Sequence, residues 1–149
     1  MPLYLDASVS VAIVRNEPTR PLFEWLVAPG CDALLMSDFG VAETSAALVA
    51  RGRASNRSRS LIEADLEHFD RWTADFTDLV TTATADVIAA TAMVRRRDLI
   101  LRAPDAIHIA CAHRLDATLV TLDIGMARAA RALGVPCINP AEAVGGSKD

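Results

Sequence analysis

Residues 118–138 read "TLVTLDIGMARAARALGVPCI", and the fold is legible from this stretch outward. The apolar, β-branched run over 118–122 predicts a strand. Ile124 to Leu133 predicts a helix stopped by Gly134, and after Val135 and Pro136 the pair "CI" at 137–138 predicts another strand. The same alternation recurs upstream. Short apolar strands are expected at "LYL" (3–5), "ALLM" (33–36) and "LVTT" (79–82). Between them lie helical segments from Val9 to Asn16 and from Pro18 through Leu22, Trp25 and Leu26 until "APG". A third starts at Ser37 or Asp38 as N-cap and turns Val41, Thr44, Ser45, Leu48 and Val49 inward until Gly52. A fourth presents Ile62, Leu66, Phe69, Trp72 and Phe76 as one face. Two more span 85–97 and 104–114, the latter opened by Pro104. Strands alternating with helices throughout imply an α/β chain, a three-layer α/β/α sandwich with a central, mostly parallel sheet. No repeat or linker interrupts it, so one domain is expected over 1–140, with a short C-terminal tail over 141–149 in which "GGSKD" reads as disordered.

The composition agrees with a single packed domain. In 149 residues, 52% are hydrophobic and 23% charged, with a mean hydropathy of +0.26, enough apolar material for a core. No apolar run approaches the roughly 20 residues of a membrane-spanning helix, and "MPLYLDAS" has no basic segment before its apolar residues. A cytoplasmic protein without a membrane partner is expected. Cys31, Cys111 and Cys137 are odd in number and lack any CxxC pair, which argues against a disulfide framework and a zinc site; they read as small buried residues. The net charge of −4 excludes a large basic face that would hold long nucleic acid by charge alone. The sole lysine is Lys148, so every other cationic side chain is an arginine or a histidine.

In an open parallel sheet, ligands bind beyond the carboxyl ends of the strands. Asp6 directly follows the first strand and Asp123 directly follows the run at 118–122, so both belong to that edge. Glu43 lies in the first turns of the helix after "ALLM", and Asp105 in the first turn of the helix opened by Pro104. Each has an ordinary explanation, since acids are common in turns and at helix N-termini. Glu43 and Asp105, however, sit in the near-apolar runs "FGVAETSAALVA" and "RAPDAIHIACA", where a lone carboxylate is costly unless a cation or donor meets it. Four oxygen donors without histidine or cysteine suit a hard cation, Mg²⁺ or Mn²⁺, the usual device for phosphate-ester chemistry. Ser8 and Thr121, two residues from Asp6 and Asp123, are close enough to bond a carboxylate or a water, with turn and strand roles as the alternative.

The other signals are weaker. There is no GxGxxG, GxxxxGK[ST] or GxSxG motif. His108, one turn after Asp105, either orients a phosphate or is a hydrogen-bonded core histidine, the commoner case; His68 and His113 read as surface residues. "RGRASNRSRS" (51–60) carries Arg51, Arg53, Arg57 and Arg59, and is either a basic loop near a phosphate backbone or a solvated turn between helices. Arg95, Arg96 and Arg97 at a helix C-terminus have the same two readings.

Taken together, "LYLDAS", "VAETSAAL", "LRAPDAIHIACA" and "LVTLDIGMARAARALGV" resemble, in order and spacing, the four acidic blocks of PIN-domain ribonucleases, in particular the VapC-type toxins of bacterial toxin–antitoxin pairs. The resemblance covers about positions 3 to 138. It implies that Asp6, Glu43, Asp105 and Asp123 are the acidic quartet and that Thr121 is the hydroxyl residue before the last acid. It also implies a Mg²⁺- or Mn²⁺-dependent endoribonuclease in which a water activated by metal attacks the phosphodiester in line, leaving the phosphate on the 5′ end of the downstream product. The implied substrates are exposed loops of structured RNA such as tRNA or rRNA. The implied partners are a cognate antitoxin, which lies in an apolar groove and blocks the site, and a second copy in a homodimer.

Two phosphate-handling rivals lack a required residue. A haloacid-dehalogenase-type phosphatase needs an aspartate where Ser8 stands and a catalytic lysine, and a phosphoacceptor receiver domain needs a lysine too. The remaining alternative is a catalytically inactive PIN-like module that binds RNA or protein, against which the intact quartet counts.

Overall fold

The computed structural model describes residues 1–17 and 30–145. At its centre lies β1 (Leu3–Leu5), paired in parallel with β2 (Leu34–Ser37) on one side and β4 (Thr118–Val120) on the other. The register sets Tyr4 beside Leu35 and Leu119, and Leu5 beside Val120. β3 (Asp78–Val80) and β5 (Cys137–Ile138) form the edges, giving the order β3-β2-β1-β4-β5 with every pair parallel. The helices in chain order are α1 (Ala7–Val14), α2 (Asp38–Ala54), α3 (Arg59–Phe76), α4 (Thr84–Val94), α5 (Ala103–Arg114), α6 (Ile124–Ala132) and α7 (Pro140–Gly145). The helix expected from Pro18 to Leu26 lies outside the described residues. Among the described residues, no helix is long and apolar enough to cross a membrane.

Successive side chains of a strand point to opposite faces, and that period divides the core in two. Leu5, Met36 and Val120 pack on one face against Val9 and Val11 of α1, Leu48 of α2, and Phe69 and Trp72 of α3. Tyr4 and Leu119 pack on the other against Ile109 and Cys111 of α5 and Met126, Ala129 and Ala130 of α6. The result is the expected three-layer sandwich. Its sheet is wholly parallel among the described strands, rather than mostly so.

Several boundaries differ from the sequence reading, each for a local reason. Helix α1 begins at Ala7 rather than Val9, because the Asp6 carboxylate accepts the Val9 amide and caps it, and it has ended before Asn16, which takes a φ of +47°. Phe76, expected on the buried face, is half exposed, since α3 ends there and its ring stands against Trp72 at 6.2 Å between centroids. Helix α4 stops at Val94, so Arg95, Arg96 and Arg97 follow it, and Arg96 pairs with Asp98. Of the three free cysteines, Cys111 is buried, whereas Cys31 and Cys137 are only partly so. The region given to the tail contains most of α7, held by Asn139, whose side-chain Oδ1 accepts the Ala141 amide, and by an ion pair between Arg131 and Glu142. Residues 146–149 lie outside the described residues.

The polar run at 51–60 shows the largest difference. Gly52 reads as a stop, yet α2 continues to Ala54, and α3 begins at Arg59 with the Ser58 hydroxyl accepting the Leu61 amide. Only 55–58 are left as the connection. Gly52 serves close packing instead: a Cβ there would stand 2.5 Å from Cγ1 of Ile62 and 2.8 Å from its Cδ1. Gly52→Ala therefore forces α2 and α3 apart, and the overpacking outweighs the gain in helix propensity, for a net loss of about 1–2 kcal/mol. Denaturant unfolding measures the loss, and adding Ile62→Ala, which clears the offending atoms, is expected to recover part of it.

Candidate functional site

The strand order reverses between β1 and β4, and this switch point places the residues after those two strands in one crevice. Asp6 leaves β1 and is buried, at 2% exposure. Its carboxylate accepts the Ser8 hydroxyl at 2.7 and 2.9 Å, the Val9 amide at 3.2 Å and the Thr121 hydroxyl at 2.7 Å. Burial pushes this carboxyl above the usual aspartate range; the bonds from Ser8, Thr121 and Val9 and the proximity of His108 oppose the rise. Thr121 also accepts the Asp123 amide at 3.0 Å, so a single hydroxyl ties Asp6 to the acid that follows β4. Asp123 in turn caps α6, accepting the Met126 amide at 2.7 Å.

Asp105 enters from the first turn of α5 and is largely buried. Burial is the main cause that lifts its carboxyl above the usual range, the negative charges of Asp123 and Glu43 add to the rise, and Arg102 counters it through a bond from Nε at 3.2 Å. The Arg102 guanidinium, 78% exposed, feels all three acids. Glu43, on the second turn of α2, keeps its side chain about one third exposed, with Oε1 3.4 Å from Nε2 of His108. The four acids picked from the sequence thus share one edge, linked through Thr121 and by mutual repulsion.

The donor chemistry suits a hard divalent cation. The groups are carboxylate oxygens, and Asp105 bears the electrostatic cost of its neighbours with, among the described residues, one exposed arginine against it. The side chains are not drawn together around a point: among the described residues, no three of the His, Cys, Asp and Glu side chains form a group that could hold a metal ion. Asp105 leans on Arg102, and Asp6 on Ser8 and Thr121.

The basic run lies elsewhere. Arg51 is eight residues beyond Glu43 on α2, about 12 Å along the axis. Arg51 pairs with Glu17 and Arg59 with Glu63, while Arg57 and Arg15 share Asp65; Arg53 is exposed without an ion pair among the described residues. His68 and His113 are on the surface, as expected. Sequence reading missed two groups. Arg102 stands three residues before Asp105, and that helical spacing was the available signal. Asp86, buried on α4, takes Nε and Nη2 of Arg114 at 2.7 and 2.9 Å and the Cys111 thiol at 3.2 Å, and these bonds outweigh burial to hold it below the usual aspartate range. It ties α4 to α5 and lies outside the crevice acids.

The PIN domain family matches residues 3–132, and the chain belongs to that family. No curated protein sequence matches it significantly. Among solved structures, it is similar to FitAcB of Neisseria gonorrhoeae, with a TM-score of 0.74 at 18% identity over 93% of this chain and 98% of that one. VapBC2 of Rickettsia felis, bound to a DNA fragment from its promoter, gives 0.69 at 16% identity over 93% and 98%. VapC20 of Mycobacterium tuberculosis, a toxin that cleaves the sarcin–ricin loop, gives 0.63 at 14% identity over 85% and 94%.

The raised Asp105 carboxyl has a measurable sign. The fold favours its protonated form, and the stability this contributes is fully present below the ordinary carboxylate range and is lost as pH rises through the higher folded-state value. In EDTA, the melting temperature of the wild type is expected to fall relative to Asp105→Asn between about pH 4 and pH 7, measured by thermal scans. A constant difference would remove Asp105 from the repelling group. Thr121→Val deprives both Asp6 and the Asp123 amide of their shared partner, and about 1.5–3 kcal/mol of stability should go with it in denaturant titrations.

Proposed function

We propose that this PIN-family chain is a Mg²⁺- or Mn²⁺-dependent endoribonuclease, the toxin of a VapC-type toxin–antitoxin pair. The carrying observation is the crowding of Asp105, Glu43 and Asp123 beside buried Asp6 at the switch point of the sheet. Asp6, Glu43, Asp105 and Asp123 would hold the cation, which supplies charge for a phosphate oxygen and acidifies a water when bound. Ser8 and Thr121 fix the Asp6 carboxylate in one orientation. Arg102, exposed and already at Asp105, is a cation placed to meet the phosphate of an incoming strand.

The substrate class follows from the setting. With a net charge of −4, the chain favours short exposed RNA loops over long duplexes, consistent with the loop cleaved by the similar M. tuberculosis toxin. Loops of tRNA or rRNA are the proposed targets. Among the basic residues at 51–59, Arg53 and the 93%-exposed Arg59 are freer to contact a backbone than Arg57, which is committed to Asp65. A cognate antitoxin is the proposed partner, as in the similar FitAB and VapBC complexes, together with a homodimer in the cytoplasm. Val87 and Ile88 of α4 and the wholly exposed Ile100 offer apolar surface for such partners. The second reading, a binding module without chemistry, draws on the acids not closing around one point.

Purified protein incubated with cellular RNA in Mg²⁺, Mn²⁺ or EDTA, followed by end-mapping, separates the two. Discrete cuts with 5′-phosphate downstream ends are expected in metal, and Asp6→Asn or Asp105→Asn should lower the rate at least about 100-fold while leaving the fold intact. Absence of cuts in every metal, with any bound protein stripped away, would favour the binding module.

A further inference from the structure

His108 is wholly buried, and its two ring nitrogens have unequal surroundings. Nδ1 lies 3.0 Å from the Tyr4 hydroxyl, which lies 2.7 Å from the Ser37 hydroxyl, and Ser37 Oγ accepts the Gly40 amide at 2.9 Å. Nε2 is buried with no hydrogen-bond partner of its own, and Oε1 of Glu43 lies 3.4 Å from it, out of line with the ring N–H. A small shift of the Glu43 carboxylate would align the two, and such contacts commonly tighten only when an active site is filled. The ring has little freedom to turn. Phe39 and Tyr4 flank it at centroid distances of 5.3 and 5.8 Å, and a Cβ on Gly40 would stand 3.6 Å from its Cε1.

The hydrogens of this chain run in one direction. A carboxylate only accepts, so Nε2 can meet Glu43 only as a donor, and in the neutral ring that tautomer leaves Nδ1 an acceptor. Tyr4 therefore donates to Nδ1, and Ser37, whose second role is to accept from Gly40, donates to Tyr4. Cys111 also lies against the Tyr4 hydroxyl, but a thiol sulfur is a weak acceptor beside an imidazole nitrogen.

We propose that His108 is a positioning residue whose Nε2–H, held in place by the buried Ser37–Tyr4 relay, orients the Glu43 carboxylate toward the cation site. The inference rests on the nuclease reading above, in which Glu43 is a ligand. It gives the buried histidine a use one turn from Asp105: the partners that orient a ligating carboxylate commonly change metal affinity by 10- to 100-fold when removed.

Two measurements test it. Long-range ¹H–¹⁵N correlation spectra of the wild type should show His108 protonated at Nε2 and bare at Nδ1, before and after saturation with Mg²⁺. A proton on Nδ1, or loss of the Nε2 proton on adding Mg²⁺, overturns the proposal. Mn²⁺ titrations followed by electron paramagnetic resonance should show binding weakened roughly 10- to 100-fold in His108→Asn, which keeps a group near Nδ1 but cannot reach Glu43, and largely restored in His108→Gln, whose amide nitrogen stands near Nε2. Unchanged affinity in His108→Asn, or equal loss in both variants, overturns it while leaving the nuclease reading in place. A wild type that binds no Mn²⁺ overturns both.

Discussion

The parallel pairing of β1 with β4 is the constraint on which the site depends. It lays Leu5 beside Val120, so the chains leaving the two strands emerge side by side, and one hydroxyl, that of Thr121, reaches Asp6 and the Asp123 amide at once. The same pairing sends Tyr4 and Leu119 to one layer and Leu5 and Val120 to the other. A slip of one residue would exchange the two cores and carry Asp6 away from Thr121 together. Fold and site are fixed by one register.

Around that anchor, the charges are kept under tension. Asp6 is buried with its oxygens satisfied by hydroxyls and an amide, whereas Asp105 faces the negative charges of Glu43 and Asp123 with, among the described residues, one exposed arginine in opposition. Two little-exposed acids outside the crevice are paired off, Asp86 with Arg114 and Asp65 with Arg15 and Arg57. The contrast sets the crevice apart from the structural ion pairs of the same chain.

The acids were legible in the sequence because strand ends and helix starts locate residues on an edge without knowledge of any contact. Asp6 and Asp123 both follow β-runs, and both also cap helices, so the ordinary turn-and-cap reading holds for them at the same edge. What stayed hidden depends on contacts distant in sequence. Ser37, Tyr4 and His108 form one relay across more than 100 residues, and no local pattern announces it. Gly52 misled for the opposite reason: its stop signal is local, while its use, admitting Ile62, is tertiary. The serine- and arginine-rich run at 51–60 has turn composition, yet most of it is drawn into α2 and α3 by the packing of those helices.

Cys111 stands on α5 against the buried Asp86 of α4, and that setting governs the protein's redox chemistry. Its thiol bonds to Asp86, and burial together with that carboxylate pushes it up to about 11; burial does the same for Cys137. At neutral pH both sulfurs are therefore held as the unreactive thiol. Peroxide or disulfide stress that would disable an exposed thiol enzyme reaches the buried Cys111 sulfur only after α5 comes away from the sheet, and the four acids of the crevice contain nothing for an oxidant to attack.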